Sequence, residues 1–224
     1  MLSVVYSDAD LAVVVKPAGV LSEEHETKPN MPQLLREALG LSPDAYVGTV
    51  HRLDRQVGGL MVYALKREIT GELSAALAER EAGKEYIACL TNPPEGESAT
   101  LCDLLYYDRG KNKSYVVKRQ RNGVKRAELS YTVLGTNEEG TWVRIRLFTG
   151  RTHQIRVQFA SRGCSLVGDA RYGGGKGDPL LYAFRLTFRH PHTKKTVSFF
   201  SLPEWAREWE EALSKVPHCQ EDNL

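Results

Sequence analysis

A single α+β domain, one sheet with helices packed on it, is what the 224-residue sequence predicts. Three observations carry this. Segments rich in β-branched and aromatic residues outnumber helical ones, the connections between them are short, and no Pro- or Ser-rich linker divides the chain. In chain order, strands are expected over 11–15, 60–65, 85–91, 114–118, 127–134, 141–149, 180–188 and 196–201. In 141–149, Trp142, Arg144, Arg146 and Phe148 fall on one face and Val143, Ile145 and Leu147 on the other, giving a basic and an apolar side. Helices are expected over 31–39, over 68–82 ending at Gly83, over 152–162 with Thr152 as N-cap and Gly163 as stop, and over 204–214. Trp205 and Trp209 lie four apart there, so the acidic stretch 203–224 reads as a capping helix and tail of the one domain, 1–224.

Composition narrows the class. A content of 42% hydrophobic and 26% charged residues suits a globular chain and excludes disorder for most of it. No apolar run approaches the roughly 18 residues of a spanning helix, and MLSVVYSDAD lacks the features of a signal peptide, so a cytoplasmic protein without membrane contact is expected. Cys89, Cys102, Cys164 and Cys219 form no C-x-x-C pair and read as reduced thiols in or near the core.

The net charge of +2 hides a strong asymmetry: residues 1–100 carry −6, 101–202 carry +12 and 203–224 carry −4. Eight Lys or Arg and no acid occupy 109–126, including Lys118, Arg119 and Arg121, interleaved with Tyr115, Gly110 and Gly123 as in a mobile hairpin. One such run is most often a solvated loop, but 144–195 adds eleven more basic residues against only Asp169 and Asp178. A polyanion, most simply RNA, is the partner this excess suits.

Two segments can carry chemistry. In 50–59, Asp54 stands between Arg52 and Arg55 just before Gly58-Gly59; pattern alone leaves a structural ion pair and a reactive carboxylate equally open. A kinase-like loop is excluded, because Asp does not directly follow Arg and no D-F-G or glycine-rich nucleotide loop is present. In 149–156, a strand ends at Gly150 and a helix begins, with Arg151 and Arg156 five apart and so serving different partners. His153 has no second ligand at metal spacing and reads as structural. His190 and His192 read as a turn, as does the glycine run 173–177, which lacks the spacing of a phosphate-binding loop.

HRLDRQVGG, GKEYIACL, TGRTHQIRVQFASRGCSLVGDARYGG and LLYAFRLTFRHP occur in the order and approximate spacing of the RluA-type family of RNA pseudouridine synthases, and DADLAVVVKPAGVLSE is similar to that family's first strand and turn. The resemblance covers about 6–202. It implies a mixed, largely antiparallel sheet with flanking helices and a central active-site cleft, and conversion of uridines in transfer or ribosomal RNA to pseudouridine, without cofactor or metal. By this resemblance Asp54 is the catalytic carboxylate and Arg156 its guanidinium partner, with Arg151 the second candidate. Tyr86 stacks on the flipped uracil, and its hydroxyl can exchange a proton near C5. Leu181 packs the other side of the base, Arg52 and Arg55 contact RNA, and the basic loop grips phosphates.

The chemistry is consistent with one carboxylate. Glycoside hydrolases need two because one must protonate a poor leaving group, whereas uracil leaves as a delocalised anion and no water is added. The target must leave its stack, at a cost of a few kcal/mol, and Arg52 can fill the space. Two departures from the family pattern stand out. The usual Thr-Ser-Gly is Val57-Gly58-Gly59, and a typical His is Tyr182, removing hydroxyls and an imidazole expected near the cleft. The small N-terminal RNA-binding module of some relatives is expected to be missing, which leaves recognition to the domain's basic face. A monomer is expected. An RNA-binding or chaperone-like protein of the same fold is the alternative, and a glycosidase acting on free nucleosides has less use for the basic middle.

Overall fold

The computed structural model describes residues 2–79 and 82–214. Eleven strands form one sheet: β1 (Ser3–Ser7), β2 (Leu11–Lys16), β3 (Gly48–Thr49), β4 (Gly58–Ala64), β5 (Gly83–Leu90), β6 (Ser98–Asp108), β7 (Lys113–Val117), β8 (Val124–Thr136), β9 (Thr141–Leu147), β10 (Leu181–Arg189) and β11 (Thr196–Phe200). The order is β1-β2-β4-β10-β5-β9-β8-β6-β7, with β3 beside β4 and β11 beside β10. Pairing is antiparallel except between β4 and β10, which run parallel at Gly58–Tyr182 and Gly59–Ala183. This is the mixed, largely antiparallel sheet that the sequence implied.

Alternation along the strands makes two layers. On the inner face, Ala12, Val14, Met61, Tyr63, Tyr86, Ala88, Val143, Ile145, Leu181 and Ala183 pack under α1 (Met31–Leu39) and α3 (Gln154–Ala160), which contribute Met31, Leu35, Ile155 and Phe159. On the outer face, α2 (Arg67–Ala78) sets Leu73 and Leu77 against Leu11, Leu60, Val62, Leu186 and Phe188. A 3-10 turn (Glu204–Trp209) and α4 (Glu210–Ser214) cover Ile87, Cys89, Trp142 and Phe184.

Local signals explain α1, whose bounds are those expected. The Asn30 side chain accepts from the Gln33 N–H, and Gly40 closes the helix in the left-handed conformation. Elsewhere tertiary contacts shift the boundaries. α3 is shorter than 152–162, and Thr152 is not its cap: His153 holds that place at φ 54° with no side-chain cap bond. The Gln154 amide oxygen closes the turn instead, accepting from the Arg151 N–H at 3.0 Å and the Thr149 hydroxyl at 2.8 Å.

Strands β1, β3 and β6 lie outside the expected set. β6 escapes a pattern reading because Asp103 sits between Leu101 and Leu105 on its inner face, where it takes bonds from Gln158 and Arg162 of the α3 segment. The α2 boundary retreats to Ala78, and 204–214 divides into a 3-10 turn and one short helix. Residues 215–224, including Cys219 and most of the expected tail, lie outside the described residues. Cys89 and Cys164 are buried but Cys102 is exposed, unlike the core position expected for it.

Candidate active site

Asp54 sits on the loop that leads into β4, at the centre of the inner face. His51 and Leu53, its neighbours in HRLD, each have a separate anchoring task. The His51 Nε2 accepts the Val62 N–H at 3.0 Å; burial, then Lys84, pushes this imidazole down to about 3, so it stays neutral and able to accept. Leu53 is buried, its carbonyl accepting the Ser22 hydroxyl at 2.8 Å while its N–H donates back to the same oxygen at 3.1 Å. Lys16, fully buried at the end of β2, donates to the carbonyls of Pro17, Val20 and Arg55. Its pKa falls to about 8, because burial outweighs the attraction of Asp54. The loop is therefore fixed through its backbone while the Asp54 side chain stays a quarter exposed.

Arg156 reaches Asp54 from α3. Its Nη1 lies 3.0 Å from the Asp54 carboxylate. On its other edge, Nε and Nη2 clasp Asp169 at 2.7 and 2.8 Å, a bidentate pair with both side chains buried. Burial alone would lower the guanidinium pKa, but Asp169 and Asp54 together raise it, so Arg156 remains charged. Tyr172 packs its ring beneath that guanidinium, 5.2 Å from its centre.

The Tyr172 hydroxyl receives the Ser114 N–H at 2.8 Å and lies 3.0 Å from the His153 Nδ1. The same hydroxyl donates to the Ser114 carbonyl at 3.4 Å. Burial lowers the His153 pKa, and its Nε2 lies 3.8 Å from the Asp54 carboxylate. Asp54 thus faces one fixed cation and one imidazole.

Tyr86 and Leu181 lie on this same face. Tyr86 pairs with Ala183 and Ile145, Leu181 with Ala88, so the two are diagonal neighbours on β5 and β10. Burial, then Asp54, raises the Tyr86 pKa, and its hydroxyl makes no hydrogen bond to the described residues. Arg52 and Arg55 sit on the exposed rim, Arg52 paired with Glu23 at 2.9 Å and Arg55 donating to the Gly19 carbonyl at 2.8 Å. Arg151 turns away from Asp54 and donates to the Arg126 carbonyl, which excludes it as the carboxylate's partner here. Lys118, Arg119 and Arg121 occupy the β7–β8 connection at the far end of the sheet rather than the immediate site.

One expectation is overturned. Tyr182 points to the outer face, bonding Ser201 at 3.1 Å and packing edge-on against Trp205. Residue alternation along β10 puts it behind Leu181 and Ala183, on the face away from Asp54. Gly59 has a clear steric task. At φ 128° it abuts the Ala183 backbone, where a Cβ would collide.

Lys16, Asp169 and Tyr172 escaped the sequence reading. A signal existed for Asp169, one of two acids among eleven basic residues and 13 positions after Arg156; for Lys16 it was a lone charge ending an apolar strand.

A family model described as RNA pseudouridylate synthase matches residues 10–161. Ribosomal large subunit pseudouridine synthase D of Nitrosomonas europaea is 31% identical over 235 residues, spanning 97% of this chain and 67% of that protein. The dual-specificity RNA pseudouridine synthase RluA of Pasteurella multocida is 30% identical over 210 residues, covering 90% and 93%. The solved structure of human RNA pseudouridylate synthase domain containing 1 superposes with a TM-score of 0.77 at 22% identity, covering 98% and 97%, a likeness of fold. Among the described residues no helix is long and apolar enough to cross a membrane.

Proposed function

Since the chain belongs to the RNA pseudouridylate synthase family, we propose that Asp54 is the group through which it isomerises uridine in RNA. The observation that carries this reading is the asymmetry around that carboxylate. It is held on one side by the charged Arg156, which Asp169 immobilises, and open on the other. The reaction breaks the C1′–N1 bond, turns the uracil and joins C5 to C1′; the C5 proton leaves and N1 gains one, so nothing is added overall. Attack on C1′ and removal of the 2′ proton both begin from the Asp54 carboxylate, which the Arg156 guanidinium meets at 3.0 Å.

Tyr86 is assigned the uracil face. Its ring offers a stacking contact of about 1–3 kcal/mol, and its unengaged hydroxyl serves as proton donor or acceptor near C5. Leu181 closes the other side. Arg52 and Arg55 meet the RNA at the rim, Arg52 exchanging Glu23 for phosphate or for the space left by the flipped base. Arg151 and the basic loop with Lys118, Arg119 and Arg121 track the backbone farther out. The substrate is a uridine in structured ribosomal or transfer RNA, and the protein acts on it as a cytoplasmic monomer without cofactor or metal.

Tritium release from RNA labelled at uracil C5 tests this directly. Wild type is expected to release label without free uracil, and Asp54→Asn to lose about two to four orders of magnitude in rate while still binding RNA. No release from either protein, with RNA binding intact, would return the chain to a binding role.

A further inference from the structure

The open half of the sheet's outer face carries chemistry that the Asp54 site does not use. On β6, β7, β8 and β9 the inner-facing residues Leu101, Leu105, Ala127, Leu129, Val143 and Ile145 are buried in the core. Alternation sends their neighbours outward, and register aligns them: Tyr115 lies opposite Tyr106, Leu104 opposite Arg126, and Ser130 opposite Arg146. Among the described residues, the C-terminal segment covers the other end of this face, where Trp209 lies against Gly135.

What remains uncovered among the described residues is aromatic and basic. Tyr115 is one of few large exposed hydrophobic residues. The Arg121 guanidinium sits over the Tyr106 ring at 4.9 Å and that of Arg146 over Phe148 at 5.6 Å, while Arg126 is 70% exposed. Among the acids on this side, Glu85 is engaged by Arg144 at 2.7 Å and Glu128 lies 3.4 Å from Arg126. The positive charge is in excess.

We propose that this face is a binding platform for single-stranded RNA, on the opposite side of the sheet from Asp54. Rings carried on an open antiparallel sheet, with guanidinium groups over Tyr106 and Phe148, offer unstacked bases a π surface and the backbone a counter-charge. A duplex presents its base edges and phosphates but no free base faces, so the platform selects single strands. The inference rests on the chain acting on RNA and adds a second contact, for a segment flanking the target and passing around the β7 edge.

Fluorescence anisotropy with a labelled oligouridylate and with an RNA duplex of equal length tests it. Tyr106→Ala with Tyr115→Ala is expected to weaken oligouridylate binding about tenfold or more and to affect duplex binding much less. Tyr106→Phe with Tyr115→Phe keeps the rings and binds as wild type, which separates stacking from misfolding. Unchanged oligouridylate affinity in the double alanine variant, or equal losses for strand and duplex, would overturn the platform. The two readings fail differently: wild type that releases no tritium yet shows ring-dependent strand binding removes the isomerase reading and keeps this one.

Discussion

The two arms that meet at the site are built on opposite principles. Asp54 is fixed through its backbone: Ser22, Lys16 and His51 hold neighbouring carbonyl and amide groups, leaving its own carboxylate one short contact and access to solvent. Arg156 is fixed through its side chain, buried and charged between two carboxylates over an aromatic ring. A group that must change partners during reaction needs a rigid base and a free tip. A group that only supplies charge gains from being immobilised at every atom, because a preorganised charge does not have to reorient as the reaction proceeds.

Breaking the rigid arm should have the largest effect on stability. Asp169→Asn leaves a buried guanidinium half paired, a loss of about 3–5 kcal/mol, read as a thermal midpoint lower by roughly 6–20 °C. Asp54→Asn, at a partly exposed position, should shift that midpoint far less while abolishing tritium release. Similar midpoints for the two variants would contradict the division of labour.

Acid probes the backbone-held arm. His51 has its folded pKa lowered to about 3 from an ordinary 6.5, so the unfolded chain binds more protons between those values, and stability falls as pH drops through that window. The loss should reach roughly a few kcal/mol. Asp8 adds to it lower down: burial opposes ionisation, but the Leu11 and Asp10 amides and His190 hold its carboxyl at about 2, stability that is lost as pH falls from 3.8 towards that value. Urea midpoints measured from pH 7 to pH 4 should decline, and His51→Gln should flatten the decline; an unchanged slope in that variant would remove His51 from the account.

Gly59→Ala tests the seat of the same loop. The added Cβ meets the Ala183 backbone at a positive φ, so roughly 1–3 kcal/mol should be lost, together with activity, since Ala183 is the strand partner of Tyr86 and stands two residues from Leu181. Calorimetry of the variant reads the first effect and tritium release the second. Arg52→Gln is the smallest. Its exposed pair with Glu23 contributes under about 1 kcal/mol to stability, so melting should hardly move while KM for RNA rises; a large fall in melting temperature would make Arg52 a structural residue.

Much of the site was legible because its signals are local. Through the family resemblance HRLD and GRTHQIR single out Asp54 and Arg156 in short runs, the caps of 31–39 fix α1, and the alternation of 141–149 places Val143 and Ile145 inward. Boundaries failed where a distant partner replaced a local one. Gln154 caps the turn that Thr152 was expected to cap, and Asp103 makes β6 look non-strand because its partners lie in α3.

By itself the sequence determined the fold class, since residue type and period are properties of neighbours along the chain, and the family resemblance of HRLD and GRTHQIR singled out Asp54 and Arg156, which the fold brings to 3.0 Å. Only the tertiary structure decided which carboxylate immobilises Arg156, that Lys16 clamps the Asp54 loop, and that Tyr182 faces away from the cleft. Those outcomes depend on strand register and on which face alternation presents. A shift of one residue exchanges inside for outside, and that choice is made by the packed sheet as a whole.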